Sequence, residues 1–243
     1  MPVSIPKNAT VAARLERQLA REILRGEHTP GSHLPPVRAL AAHFGVTAPT
    51  IQRVIDRLEV TGLVTVKRGS GVTVNDPHQC GELSLLPMWF DALSDQPDRA
   101  AKILADFLEL RTVVATHLIR GSAQTLVKAG PRLLELSANL ANDGSLADVA
   151  AADLAFTRAF LEASDQFAVK ALFHTTEQLV YEVPYVMESL YEDRAYHRRV
   201  IRGIISALGG GKGPGAVAEA MDKTLTAWDR RTVARFRGYL AGD

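Results

Sequence analysis

The sequence has little of what marks secreted, membrane-spanning or metal-clustered proteins. It holds one cysteine, Cys80, in 243 residues. Neither a disulfide framework nor a Cys-rich zinc finger can be built from that. No apolar run reaches the ~18 residues needed to span a bilayer. The stretch Met1-Pro2-Val3-Ser4-Ile5-Pro6-Lys7 lacks the apolar core of a signal peptide. An excess of one charge is also missing, with 28 Lys+Arg against 27 Asp+Glu. There is no Gly-x-Ser-x-Gly elbow, phosphate loop or dinucleotide fingerprint. The Gly-rich residues 209–215 lack a Gly-Lys-Ser/Thr ending and read as a flexible loop. An enzyme is therefore not expected. Apolar residues at 47% and charged residues at 23% are ordinary globular usage. The expectation is a cytoplasmic protein with no membrane partner.

The charge is unevenly placed. Residues 1–77 carry ten Lys/Arg against six Asp/Glu, while the remainder is mildly acidic. In the basic part, Val11, Leu15, Leu19 and Ile23 recur at i, i+4 and form one apolar helical stripe. Gly26 and Pro30-Gly31 end it. Val37, Leu40, Ala41 and Phe44 give a second helix over residues 36–44, and Gly45-Val46 makes a short turn. Thr47 is placed to N-cap a third helix, with Pro49 in its first turn. There Ile51, Val54, Ile55 and Leu58 face the core, leaving Ala48, Thr50, Gln52, Arg53 and Arg57 outward. Two β-branched runs, residues 63–66 and 72–74, flank Lys67-Arg68-Gly69-Ser70-Gly71 and read as a hairpin with a basic tip. Three helices with a tight turn, followed by a basic hairpin, form a winged helix-turn-helix. That arrangement sets a helix in the DNA major groove and a wing over the adjacent backbone.

Specific residues within this stretch resemble the DNA-binding domain of the GntR family. They are Ile23-Leu24-Arg25-Gly26, Pro30-Gly31-Ser32-His33-Leu34-Pro35-Pro36-Val37-Arg38-Ala39-Leu40-Ala41, Gly45-Val46-Thr47, Thr50-Ile51, Leu58-Glu59-Val60-Thr61-Gly62-Leu63-Val64 and Gly69-x-Gly71. The resemblance implies that Arg38 contacts DNA, with Thr47, Ala48, Pro49, Thr50, Gln52 and Arg53 at the recognition helix and Lys67, Arg68 and Gly69 at the wing. Two arginines usual in the family's turn and recognition helix are here Ala48 and Gln52. Arginine reads guanine and glutamine reads adenine, so the operator is expected to differ. Arg53 and Arg57 are either phosphate contacts or solvated helix charges.

After residue 75 no strand pattern appears. Residues 76–97 read as a linker, with the apolar stretch 83–90 packing between domains. Helical patterns cover residues 98–120, 131–141, 146–163, 167–183, 193–208 and 216–240. Pro184 ends or kinks the fourth. The fold class is thus mainly α. A winged helix-turn-helix occupies residues 1–75, and an antiparallel bundle of six or seven helices occupies residues 98–243.

The bundle resembles the effector-binding domain of the FadR branch of the GntR family. The resemblance rests on Glu109-Leu110-Arg111, Asp153-x-x-Phe156-x-Arg158, Ala163-Ser164, and His197 followed by Val200, Ile201 and Ile204. The candidate residues for lining an effector pocket in it are Arg111, Asp153, Arg158, Tyr196 and His197. Many members of that branch hold a divalent metal with one Asp and three His. Here that ligand set reads Asp153, Thr157, His197 and Thr224, so a metal cofactor is not expected. His174 is either a substitute ligand or a satisfied core residue. Arg111 and Arg158 either meet a ligand's carboxylate or phosphate or pair with Asp153. Tyr181, Tyr185, Tyr191 and Trp228 read as core or rim.

The expected function is a ligand-responsive transcriptional regulator. Its partners are a palindromic double-stranded DNA operator, a second copy of itself, and a small-molecule effector (an organic acid or acyl-CoA-like molecule). The alternatives are a metal-dependent carboxylate sensor, or a helical ligand carrier or enzyme with a vestigial DNA-binding domain.

Overall fold

The computed structural model describes residues 10–80, 82–139, 144–163, 166–210 and 213–242. The N-terminal stretch read for a signal peptide, the linker's Gly81, Ala141, Ser164, and Gly211-Lys212 of the Gly-rich loop lie outside them. The chain divides into two units, Met1–Asp95 and Gln96–Asp243.

In the first unit the apolar stripe on α1 (Val11–Arg25) buries Leu15, Leu19 and Ile23. Thr10 caps the helix, its hydroxyl accepting from the Ala13 N–H at 3.2 Å. The short α2 (Val37–Phe44) leads into α3 (Ala48–Val60) through Gly45, whose φ of +64° most side chains would disfavour. Ile51, Val54, Ile55 and Leu58 of α3 are all completely buried and form the centre of this core. Thr47 holds the N-cap position of α3. Its hydroxyl, however, pairs with that of Thr50 at 2.9 Å rather than with a backbone N–H.

The wing is the antiparallel hairpin β1 (Val64–Lys67) and β2 (Gly71–Val74), in register Val64 to Val74 and Lys67 to Gly71. Its other edge is covered. The Gly31 and Leu34 N–H groups donate to the Val74 and Val72 carbonyls, so residues 31–34 seat the wing against the chain before α2.

Residues 76–97, read as a linker, are largely helical. They contain α4 (Pro77–Cys80), a 3-10 turn (Leu83–Leu85) and α5 (Leu86–Ala92). Residues 83–90, expected to pack between domains, bury Leu85, Leu86, Trp89 and Phe90 inside the first unit, where α5 packs on α1. Burying that much apolar surface favours a docked helix over an extended connector.

Among the described residues the second unit consists of six helices: α6 (Pro97–Asn139), α7 (Leu146–Glu162), α8 (Phe167–Glu182), α9 (Pro184–Tyr191), α10 (Arg194–Gly209) and α11 (Pro214–Ala241). Two differences from the sequence reading stand out. The separate helices expected over 98–120 and 131–141 are one helical run, kinked at Ser122 (φ −121°, ψ 21°). Between them, Leu126 is buried and anchors the intervening turns. Pro184 starts a further helix, α9, which the sequence reading missed. Proline's fixed φ and absent N–H suit a first helical position. The long helices α6 and α11 pack together most extensively, and α7, α8, α9 and α10 complete the bundle.

Candidate functional site

The first site lies on α2, α3 and the wing. Burying one face of α3 leaves Ala48, Pro49, Gln52 and Arg53 exposed, with Thr50 half-buried. Arg38 on α2 is exposed, as are Lys67, Arg68 and Gly69 at the wing tip. The tip turns because Gly69 takes φ +78°, which lets the Ser70 N–H reach the Lys67 carbonyl at 3.0 Å.

The basic residues divide into two sets. Arg57 Nη1 donates to Glu16 Oε2 at 2.8 Å, fastening α3 to α1. Arg57 is therefore occupied by a structural pair. Arg38, Arg53, Lys67 and Arg68 make no ion pair among the described residues. Exposed cations without acidic partners are what a phosphate backbone recruits. The Gln52 amide N–H donates to Asp56 Oδ1 at 2.9 Å, which holds the amide along the helix surface.

The second site is a cavity of about 110 Å³ inside the helical unit. Its wall is mainly apolar, with Phe156 and Phe160 from α7, Phe173 from α8, Ile201 from α10 and Leu225 from α11. Arg111, Asp153, Thr157, Thr176, Tyr191 and Trp228 give it polar points.

Several of those points are already bonded within the unit. The Tyr191 hydroxyl donates to Asp153 Oδ2 at 2.9 Å, and His197 Nε2 donates to Asp153 Oδ1 at 3.1 Å. His197 is wholly buried between the Tyr191 and Trp228 rings, each with its centroid 5.2 Å away. Its Nδ1 has no partner. With a carboxylate oxygen facing Nε2, the Nε2–H tautomer fits this geometry. Burial, and then the neighbouring Asp153 carboxylate, push the Tyr191 phenol well above its ordinary range. It is a fixed donor.

Arg111 pairs with Asp229 of α11, which also accepts from the Thr112 hydroxyl at 2.9 Å. The guanidinium lies 5.3 Å from the Trp228 ring centroid. Burial raises the Asp229 carboxyl, and Arg111 partly opposes that rise.

The structure thus brings Arg111, Asp153 and His197 together and leaves Arg158 and Tyr196 elsewhere. Arg158 is exposed and pairs with Glu177 of α8. Tyr196 does not line the cavity, and its ring is covered by the Arg231 guanidinium at 4.4 Å. Neither arginine pairs with Asp153, which one sequence reading had allowed. His174 is exposed and stands 3.7 Å from Glu177, so it is neither a substitute ligand nor a core residue.

The ligand set implied by the resemblance also needs correction. Thr224 bonds back to the Ala220 carbonyl at 2.8 Å, and the α11 side chain facing His197 is Trp228. A divalent metal does not fit. Asp153 and His197 are closed on each other, Thr157 adds at most a weak hydroxyl, and Trp228 is no ligand. Among the described residues no three His, Cys, Asp or Glu side chains converge.

Tyr191 and Trp228, read from sequence as core or rim, are both buried, but sequence reasoning missed the Tyr191–Asp153 bond and the Asp229 tie. Met221, Leu225 and Trp228 fall at i, i+4 and i+7, a stripe that marks the buried face of α11. No local spacing signals a pair 118 residues apart.

A helix-turn-helix with a basic wing is a DNA-binding module. Residues 11–74 match the family described as bacterial regulatory proteins, gntR family. The N-terminal unit carries a helix-turn-helix like that of this family, and the relatives that the chain matches are described as transcriptional regulators.

Relatives extend the likeness. An uncharacterized HTH-type transcriptional regulator of Mycobacterium tuberculosis, Rv0494, is 27% identical over 96% of this chain and 93% of its own. A fatty acid metabolism regulator protein of Shewanella amazonensis is 30% identical over 46% of this chain and 45% of its own. The chain thus spans nearly all of the mycobacterial relative and less than half of the Shewanella one. A solved structure of Lar, which controls expression of the Listeria monocytogenes agr system, superposes with a TM-score of 0.51 at 18% identity. It covers 95% of this chain and 98% of that one, a likeness of fold. No described helix is long and apolar enough to cross a membrane.

Proposed function

We propose that this protein is a ligand-responsive regulator that binds a palindromic operator as a homodimer in the cytoplasm. A small molecule in the helical unit alters its DNA affinity. The observation that carries the reading is the set Arg38, Arg53, Lys67 and Arg68, exposed and unpaired on the face that presents the recognition helix and wing. A protein that had lost its DNA would have no need to keep these cations unneutralised. One winged domain reads only a few base pairs, so two half-sites give the affinity an operator needs. The largely apolar cavity supports the effector role.

The expected organic-acid or acyl-CoA effector is less well supported. It calls for a free cation in the cavity, and Arg111 is matched by Asp229. The metal-dependent carboxylate sensor lacks its ligands.

The test selects duplexes from a random library with the full chain, then measures affinity by fluorescence anisotropy across salt concentrations. Two chains per duplex are expected, on half-sites about 10 base pairs apart. Four cations per chain give a log–log salt slope of about −7 for the dimer. Binding as one chain, or affinity indifferent to salt, would overturn the proposal.

A further inference from the structure

The chemistry of the cavity indicates what it accepts. Three observations set the limits, and they rest on the effector reading above only for their biological meaning.

The first is size. At about 110 Å³, and partly open rather than sealed, the cavity is of the same order as the ~150 Å³ engineered cavity that admits one benzene molecule, so one ring is its upper limit. A single ring or a chain of a few carbons is the scale of the occupant. A long acyl chain would have to displace packed side chains such as Phe156 and Leu225.

The second is charge. Arg111, the cation in the wall, is held by Asp229 across α6 and α11. Asp153 carries a negative charge whose two partners are a phenol hydroxyl and an imidazole N–H. An incoming carboxylate meets no free cation and faces Asp153. An ammonium group would be desolvated into a mostly apolar wall with Arg111 close by, which outweighs its attraction to one carboxylate.

The third is the remaining hydrogen-bonding capacity. An ionised carboxylate offers about four lone-pair sites. Asp153 uses one on each oxygen and is itself one of the residues lining the cavity. Among the polar groups of the wall the Asp153 carboxylate is the strongest acceptor, so a ligand group that donates to it is favoured. Desolvating one hydroxyl against such an acceptor is inexpensive compared with desolvating a charge.

We propose that the cavity binds a small, uncharged, largely apolar molecule of single-ring size, oriented by one hydroxyl that donates to Asp153. This differs from both the carboxylate and the metal-bound ligands implied by the family resemblance.

The experiment uses the full chain without DNA and four probes of one shape: toluene, benzyl alcohol, benzylamine and benzoate. Calorimetric titration and the thermal shift of the helical unit are the readouts. Benzyl alcohol is expected to bind one per chain, about tenfold tighter than toluene, with benzylamine weaker and benzoate silent. Asp153→Asn should erase most of the difference between benzyl alcohol and toluene. Ala115→Phe, which fills the cavity from α6, should abolish both. Benzoate binding as tightly as the alcohol, or no probe binding at millimolar concentration, overturns the proposal; both outcomes use the unmodified protein. Benzyl alcohol that binds yet leaves operator affinity unchanged would keep this inference and overturn the effector reading instead.

Discussion

Replacing Tyr191 with phenylalanine removes one oxygen from the interior of the helical unit and little else. Tyr191 is 2% exposed, so the ring stays packed and no sizeable void opens. What is lost is a 2.9 Å hydrogen bond from the phenol to the Asp153 carboxylate. A hydrogen bond to a charged partner contributes about 1.5–3 kcal/mol net. Asp153 keeps its bond from His197, which holds the loss within that range. For a unit of roughly 150 residues each kcal/mol moves Tm by about 2–4 °C, so a fall of about 3–12 °C is expected.

Differential scanning calorimetry is the assay, because the two units need not unfold in one transition. The fall belongs to the transition of the helical unit alone. Combining Tyr191→Phe with Asp153→Asn should give a non-additive total, with a coupling of about 0.5–3 kcal/mol. A Tm within about 1 °C of the parent, together with additive effects, would refute the account of a fixed polar floor.

Three further outcomes follow from the geometry. Ile55→Ala, at a completely buried position of α3, should destabilise the N-terminal unit by about 2–5 kcal/mol in denaturant unfolding, leaving the helical unit's transition unmoved. Gln52→Arg should shift the base selected by α3 from adenine toward guanine, by about 1–3 kcal/mol of discrimination in a selection experiment; an unchanged selected sequence would remove Gln52 from base reading. Asp193 caps α10 by accepting from the Tyr196 N–H at 3.0 Å, and this bond first, then Arg235 and Arg231, holds its carboxyl below the ordinary range. A depressed carboxyl stabilises the fold above its unfolded pKa and loses that contribution as pH falls through its folded pKa. Asp193→Ala should therefore cost about 1 kcal/mol near pH 7, and the difference should close on acidification well below pH 4.

The winged domain was legible because its signals are local. The stripe Leu15–Leu19–Ile23, the Gly45 turn and the basic tip Lys67-Arg68 each lie within one or two turns of chain, and periodicity reports them directly. The role of α5 was not legible. Leu86, Trp89 and Phe90 announce burial, but only packing shows that they lie against α1. Arg53 and Arg57 look alike in sequence, and the fold separates them by placing Glu16 beside one.

The helical unit shows the same division more sharply. The sequence alone determined that helices form, since apolar spacing and helix propensity act over a few residues. Tertiary structure decided which side chains meet. Asp153, Tyr191 and His197 converge from three helices, and Arg111 finds Asp229 rather than Asp153. The polar floor of the cavity exists only once α6, α7, α9, α10 and α11 are packed. Hydrogen bonds and ion pairs act over about 3 Å in space, and sequence spacing carries no record of which distant residues the packing brings that close.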